Sequence, residues 1–246
     1  MTKILIDDNF KENKIVFNKN DDISIDYSRE KSLNLEFIIK EDIIINLLEF
    51  SCNNKANLEM TYSLEENAIL NVSKIYNNEE VKEDITINLN GEKSKINYNF
   101  ITVSTSEENY IIKVNHLNKN TKSDIVNKAV TLEEGEVFIQ IDSNLPNGVK
   151  SCSLNQLSRI VPFNSKKSTV VPNMFIEEYH TEAKHGSVIG NFKEEEIFYL
   201  MTRGLARANA INLLVKGFVL GGLKLDMEYM DKVLKIINKY WRWNNE

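Results

Sequence analysis

Three histidines and two cysteines are the soft, metal-ligating side chains of this 246-residue chain: His116, His180, His185, Cys52 and Cys152. The two thiols are too far apart in sequence to supply a Cys-rich metal site from this chain alone. In a reducing compartment both stay free, and free cysteine behaves as a small buried hydrophobe. The densest grouping is Glu178, His180, Glu182 and His185. Neutral imidazole is a good iron ligand, and His185 alone suffices if a partner supplies thiolate or carboxylate. His180, Glu182 and Glu178 would then be outer ligands. The bland alternative is a solvated strand edge, because acids are mostly surface residues, with His185 bonding backbone at a corner. His116 stands apart, with the hydroxyls of Thr121 and Ser123 near enough in sequence to partner its ring.

No catalytic motif accompanies these residues. Gly-x-Ser-x-Gly, a phosphate loop and His-Glu-x-x-His are all missing. Asp124, Glu136 and Asp142 offer one rival: on a single face of a β-solenoid they would be placed for polysaccharide cleavage by paired carboxylates. Net charge is −6, and only five of the 30 basic residues are arginine (Arg29, Arg159, Arg203, Arg207, Arg242). That balance argues against a nucleic-acid partner. No apolar run approaches a membrane span. The start, MTKILIDDNFKENK, lacks the apolar core of a signal peptide, which points to the cytoplasm.

The elements that must position these residues fall into two blocks. From Ile4 to about Phe175 the pattern is strand after strand, rich in β-branched residues and separated by short polar stretches. Asn90-Gly91 and Asn147-Gly148 are the only tight-hairpin pairs, fewer than a sandwich favours. A small residue followed two positions later by an apolar one recurs at Ala56-Leu58, Ala68-Leu70, Ser94-Ile96 and Ser123-Ile125. That register suits the corners of a solenoid. Its spacing is irregular, so sandwich and solenoid both remain open on the residues alone. The switch from strand to helix falls at His185-Gly186, with Gly190 close behind. Three helices follow. The first runs from Lys193 to Thr202 behind an Asn191 N-cap, with Ile197, Leu200 and Met201 on one face and Arg203-Gly204 as its stop. The second covers Ala206 to Lys216 and ends at Gly217. The third runs from an Asp226 cap to about Trp241. Such helices must pack on the β body or on another chain.

His185-Gly186-Ser187, Gly190, Phe198-Tyr199-Leu200, Arg203-Gly204 and Gly217-Phe218 follow one another behind the Pro172 strand. In that order and spacing they resemble the C-terminal signature of the SufB/SufD family, the scaffold subunits of SUF iron–sulfur cluster assembly. His116 and Asn120-Thr121-Lys122-Ser123-Asp124 resemble the family's His…Asn-Thr-x-Ser-Asp coil. The resemblance spans about Tyr110 to Phe218 and is weak before Asn57. It implies a mainly β fold, a right-handed parallel β-helix over residues 1–190, followed by a small C-terminal helical domain over 191–246. It implies a non-catalytic scaffold with two partners, a SufC-like ABC ATPase and a SufB-like subunit or a second copy of itself. His185, Gly186, His180 and Glu182 would lie at the cluster or subunit interface. Phe198, Tyr199, Arg203 and Gly204 would dock the ATPase. No tightly bound cofactor is implied, only iron or a transient cluster shared with a partner. The SufB-branch cysteine is missing, since Lys166-Lys167-Ser168-Thr169 occupies that stretch. Lys184-His185-Gly186 is closer to the SufD form, although Ala183 stands where that branch often has a cysteine. The homodimeric sole scaffold of a minimal system is the alternative.

Overall fold

The computed structural model describes residues 1–28, 32–52 and 55–241. Arg29, Arg242 and the corner role assigned to the Ala56 side chain lie outside the described residues. The strands are β1 (Thr2–Asp7), β2 (Lys14–Phe17), β3 (Asp21–Ser28), β4 (Leu33–Ile39), β5 (Ile44–Cys52), β6 (Lys55–Leu64), β7 (Ile69–Asn77) and β8 (Glu80–Leu89). They continue with β9 (Lys95–Ser104), β10 (Glu107–His116), β11 (Lys122–Thr131), β12 (Glu136–Leu145), β13 (Cys152–Pro162), β14 (Thr169–Ile176) and β15 (Thr181–Ile189). Helices α1 (Glu194–Thr202), α2 (Arg207–Leu220) and α3 (Met227–Trp241) follow.

Odd-numbered strands form one sheet in the order β1-β3-β5-β7-β9-β11-β13-β15, and even-numbered strands form a second from β14 to β2. Every paired neighbour is parallel. The chain therefore crosses to the opposite sheet after each strand and returns one step along. This is a β-solenoid followed by helices, and the sandwich alternative falls because facing antiparallel sheets are not what forms.

Corners repeat as strictly as strands. Asp42, Asn67, Lys93, Asn120 and Ser151 all adopt φ between 50° and 61°, and each donates its N–H to a carbonyl of the next coil (Glu66, Glu92, Lys119, Lys150, His180). Asp and Asn tolerate that left-handed conformation best. At Gly91 a Cβ would fall 2.0 Å from the Glu66 nitrogen, so only glycine fits beneath the preceding coil. The expected small-then-apolar register holds at Ala68-Leu70 and Ser94-Ile96, all fully buried. At Ser123-Ile125 it is two residues out of step. Ser123 pairs with Ile96, so the corner residue equivalent to Ser94 is the buried Thr121.

Inner faces of both sheets form one apolar core, including Ile25, Leu35, Leu70, Ile96, Ile139 and Ile160. A second core lies outside the odd-numbered sheet. There Leu48, Phe50, Ile75, Ile101, Val103, Val130 and Val161 meet Phe192, Ile197, Val215, Val219, Val233 and Ile237 of the helical segment. The helices therefore coat one face of the solenoid. Their bounds differ from expectation in two places. Lys193, not Asn191, caps α1: its backbone is extended (φ −66°, ψ 137°), and Phe192 before it is buried against Phe163 and Phe218. α2 runs through Gly217 to Leu220. Buried Val219 carries it past the glycine, and the Lys128 Nζ donates to the carbonyls of Phe218 (3.0 Å) and Gly221 (2.6 Å) at its end.

Candidate functional site

His185-Gly186 is not the joint between strand and helix. Both residues lie inside β15, and the chain leaves the sheet only after Ile189. β14 and β15 are the last strands of their sheets, so no further coil stacks on them. Alternation fixes which side chains face inward. The inner residues Cys152, Leu154, Gln156, Ser158 and Ile160 of β13 pair with Thr181, Ala183, His185, Ser187 and Ile189. On β14, Val170, Pro172, Met174 and Ile176 continue the inner columns of Ile139, Ile141, Ser143 and Leu145. These nine residues form the uncovered end of the core. His185 stands over it, exposed and in the column of buried Gln156.

Backbone groups at this end are also unspent. The Gly190 N–H donates to Ile160, so the even-numbered residues of β15 bond to β13. The odd ones, His185 among them, turn N–H and C=O to the free edge. On β14 the Glu177 N–H donates to Leu145, which leaves the Pro172 nitrogen facing the free edge. A proline is tolerated there because no ladder bond is lost.

The other nearby candidates do not converge on His185. Glu182 is three positions away and lies on the outer face of β15. His180 is exposed in the turn before the strand. Glu178 is buried, contrary to the solvated-edge reading. Its carboxylate accepts the His180 N–H (3.1 Å), a 3.3 Å contact from the His180 ring and the Gly148 N–H (3.1 Å), and these bonds hold its pKa below the usual carboxylate range. Among the described residues no group of three His, Cys, Asp or Glu side chains is arranged to hold a metal ion. Asp124 lies on the odd-numbered sheet and Glu136 and Asp142 on the even-numbered one. Asp124 is separated by sheet from the other two, Glu136 and Asp142 are six residues apart along one face of β12, roughly 20 Å, and Asn155 and Asn173 donate to Asp124 and Asp142. The carboxylate-cleavage reading fails on that separation.

Helix α1 sorts its residues clearly. Ile197 and Leu200 pack on the solenoid, while Phe198 is 67% and Tyr199 57% exposed. Neither aromatic docks the helix on the β body. Arg203 is the C-cap, and its guanidinium lies 5.3 Å from the Tyr199 ring centroid. Gly204 follows at φ 92°. Arg207 donates twice to Glu194, at 2.8 and 2.7 Å, and ties α1 to α2.

Two interior features were missed in the sequence. Lys74 is fully buried between Glu83 (2.6 Å) and Glu49 (3.1 Å), ringed by Tyr62, Tyr76 and Tyr98. Burial opposes its charge, but the two carboxylates outweigh burial and keep its pKa raised. The signal was parity, since Lys74 follows Leu70 and Val72 at inward positions of β7. Gln156 shows the same signal in β13. His116 behaves as expected. Nδ1 meets Thr121 Oγ1 at 2.8 Å and Nε2 meets Ser123 Oγ at 2.9 Å, and burial pushes its pKa down to about 4. Cys152 is buried, Cys52 half-buried, and both are free. Among the described residues no helix is long and apolar enough to cross a membrane.

The sequence profile described as "SUF system FeS cluster assembly, SufBD core domain" matches residues 28–218. The chain is 32% identical over 118 residues to an iron–sulfur cluster assembly SufBD family protein of Pyrococcus horikoshii, covering 48% of this chain and 25% of that protein. It is 28% identical over 127 residues to the iron–sulfur cluster assembly protein SufB of Bacillus subtilis, covering 51% and 27%. A SufBD family protein of Antithamnion sp. matches at 27% over 128 residues, covering 51% and 43%. The matched stretch thus spans less than half of each relative.

Proposed function

The chain belongs to the SufBD family of iron–sulfur cluster assembly proteins, and from that premise we propose that it is a SufD-like, non-catalytic scaffold subunit of a cytoplasmic SUF complex. It pairs with a SufB-like subunit through the open end of the coil. It holds a SufC-like ABC ATPase through α1 and α2. Iron or the nascent cluster is cargo at the subunit junction, with His185 as this chain's ligand and thiolate or carboxylate supplied from across it. The observation that carries this reading is the uncovered end at β14 and β15, where His185, an open apolar core and an unspent backbone edge coincide. Exposed Phe198 and Tyr199, capped by Arg203, suit an interface anchor, because binding energy concentrates in a few aromatic and arginine residues.

The complex purified from its own cells tests the proposal by mass. Two ATPase subunits on one mixed scaffold pair are expected. His185→Ala should stay folded and lower cluster loading, and Phe198→Ala with Arg203→Ala should weaken ATPase capture. Wild-type loading and capture in all three variants would sink the reading. One observation favours the homodimeric alternative. Glu182 and Lys184 share the outer face of β15, and antiparallel pairing with a second copy can set each Glu182 opposite the other copy's Lys184. A self-dimer that alone loads iron would establish that version, although the absent SufB-branch cysteine weighs against it.

A further inference from the structure

Gln156 lies one strand below His185 on the inner face of the same column. It is 1% exposed. Its Nε2 donates to Ser143 Oγ at 2.7 Å and to the Asn173 carbonyl at 3.0 Å. Those two bonds use both amide hydrogens and fix which end of the amide is oxygen. The oxygen, Oε1, is buried and has no partner. A buried carbonyl oxygen without a donor is costly, so such groups recruit one. Its register partner on the next strand, the exposed His185, carries a ring N–H that is not bonded to this oxygen in the structure and is one strand away from it. We infer that Gln156 is a positioning residue for His185: its Oε1 accepts the hydrogen of one ring nitrogen, fixes the tautomer, and turns the other nitrogen's lone pair out of the coil toward whatever covers its end. A ligating histidine needs such an outer partner, because the hydrogen bond on one nitrogen decides which nitrogen is free and how the ring is aimed. The inference takes its purpose from the scaffold reading of His185, while its geometry stands on β13 and β15 alone.

Nitrogen-15 spectra of the full chain, recorded where the ring is neutral, report the tautomer directly. One tautomer of His185 should exceed the other about fivefold or more, the ratio that one net hydrogen bond sustains, and its ring N–H should exchange slowly. Gln156→Leu should release the ring to a mixture, and Gln156→Glu, which keeps an acceptor, should hold it. His116, bonded on both nitrogens inside the coil, reports in the same spectra that each variant is folded. A wild-type ring that samples both tautomers with a fast-exchanging N–H overturns the assignment and needs no variant. A pinned ring with unchanged cluster loading in His185→Ala upholds Gln156 and removes the scaffold role of His185. A mobile ring with lost loading does the reverse.

Discussion

Lys74 is the buried residue with most at stake. Its ammonium holds two fully buried carboxylates inside the coil, so Lys74→Met should cost about 3–5 kcal/mol by leaving Glu49 and Glu83 uncompensated. Adding Glu49→Gln and Glu83→Gln should recover most of that loss in denaturant unfolding. Glu108 and His116 make opposing contributions to the pH dependence. Burial outweighs the bonds from Thr102, Tyr110 and Ser104 and raises Glu108 from 4.5 to about 7. Its contribution is complete below pH 4.5 and is lost as pH rises through 7. His116, lowered by burial from 6.5 to about 4, has the opposite sign: its contribution is complete above 6.5 and is lost as pH falls through 4. Each is worth about 3 kcal/mol by the proton-linkage relation. Between about pH 4.5 and 6.5 the two slopes oppose each other, so each variant is read against the wild-type profile. Glu108→Gln should uncover an acid loss in that window, and His116→Gln an alkaline one. Parallel slopes in both variants would refute the assignment.

At the scale of elements, the helical layer is fastened at its joint with the solenoid. Phe192 lies between Phe163 and Phe218, and the Arg159 guanidinium is 5.7 and 5.4 Å from the Phe192 and Phe218 rings. Lys128, on β11, closes the last carbonyls of α2. Lys128→Met should cost roughly 1 kcal/mol, as a lost terminal charge contact does. Hydrogen exchange should show the loss in the last turn of α2 while β11 stays protected. Equal loosening of both would mean that the lysine supports the sheet rather than the helix. If an ATPase docks at Phe198 and Tyr199 as proposed, a layer fastened at this joint would give it a mechanical route to β11 and β13, and from β13 to β15.

For the whole molecule, the decisive feature is that stacking stops. Interior coils satisfy their backbone on two neighbours, whereas β15, an edge strand like β1 at the other end, has one. The Ala183 N–H points to the free edge by the same alternation that places His185 there. Ala183→Pro removes one edge donor and no internal bond, so the thermal midpoint should move little. Capture of a SufB-like subunit, or self-association measured by sedimentation, should be lost. Full capture by the proline variant would show that the edge is not the interface.

Sequence alone determined the run of strands, the change to a helical period, the inward places of Ile197 and Leu200 on α1 though not of Met201, which is exposed, and the hydroxyl partners of His116. These follow from local periodicity and from short-range bonds that any fold of this chain would keep. The family signature carried the choice of solenoid over sandwich, because alternation is the same in both. Only the tertiary structure decided that His185 lies within a terminal strand in register with Gln156, that Asp124 is on the opposite sheet from Asp142, and that Lys74 is enclosed by carboxylates from β5 and β8. The physical reason is register. Residues 21 to 31 apart become neighbours when coils stack, and that spacing, which sets each coil's length, is not regular enough to be counted from the chain.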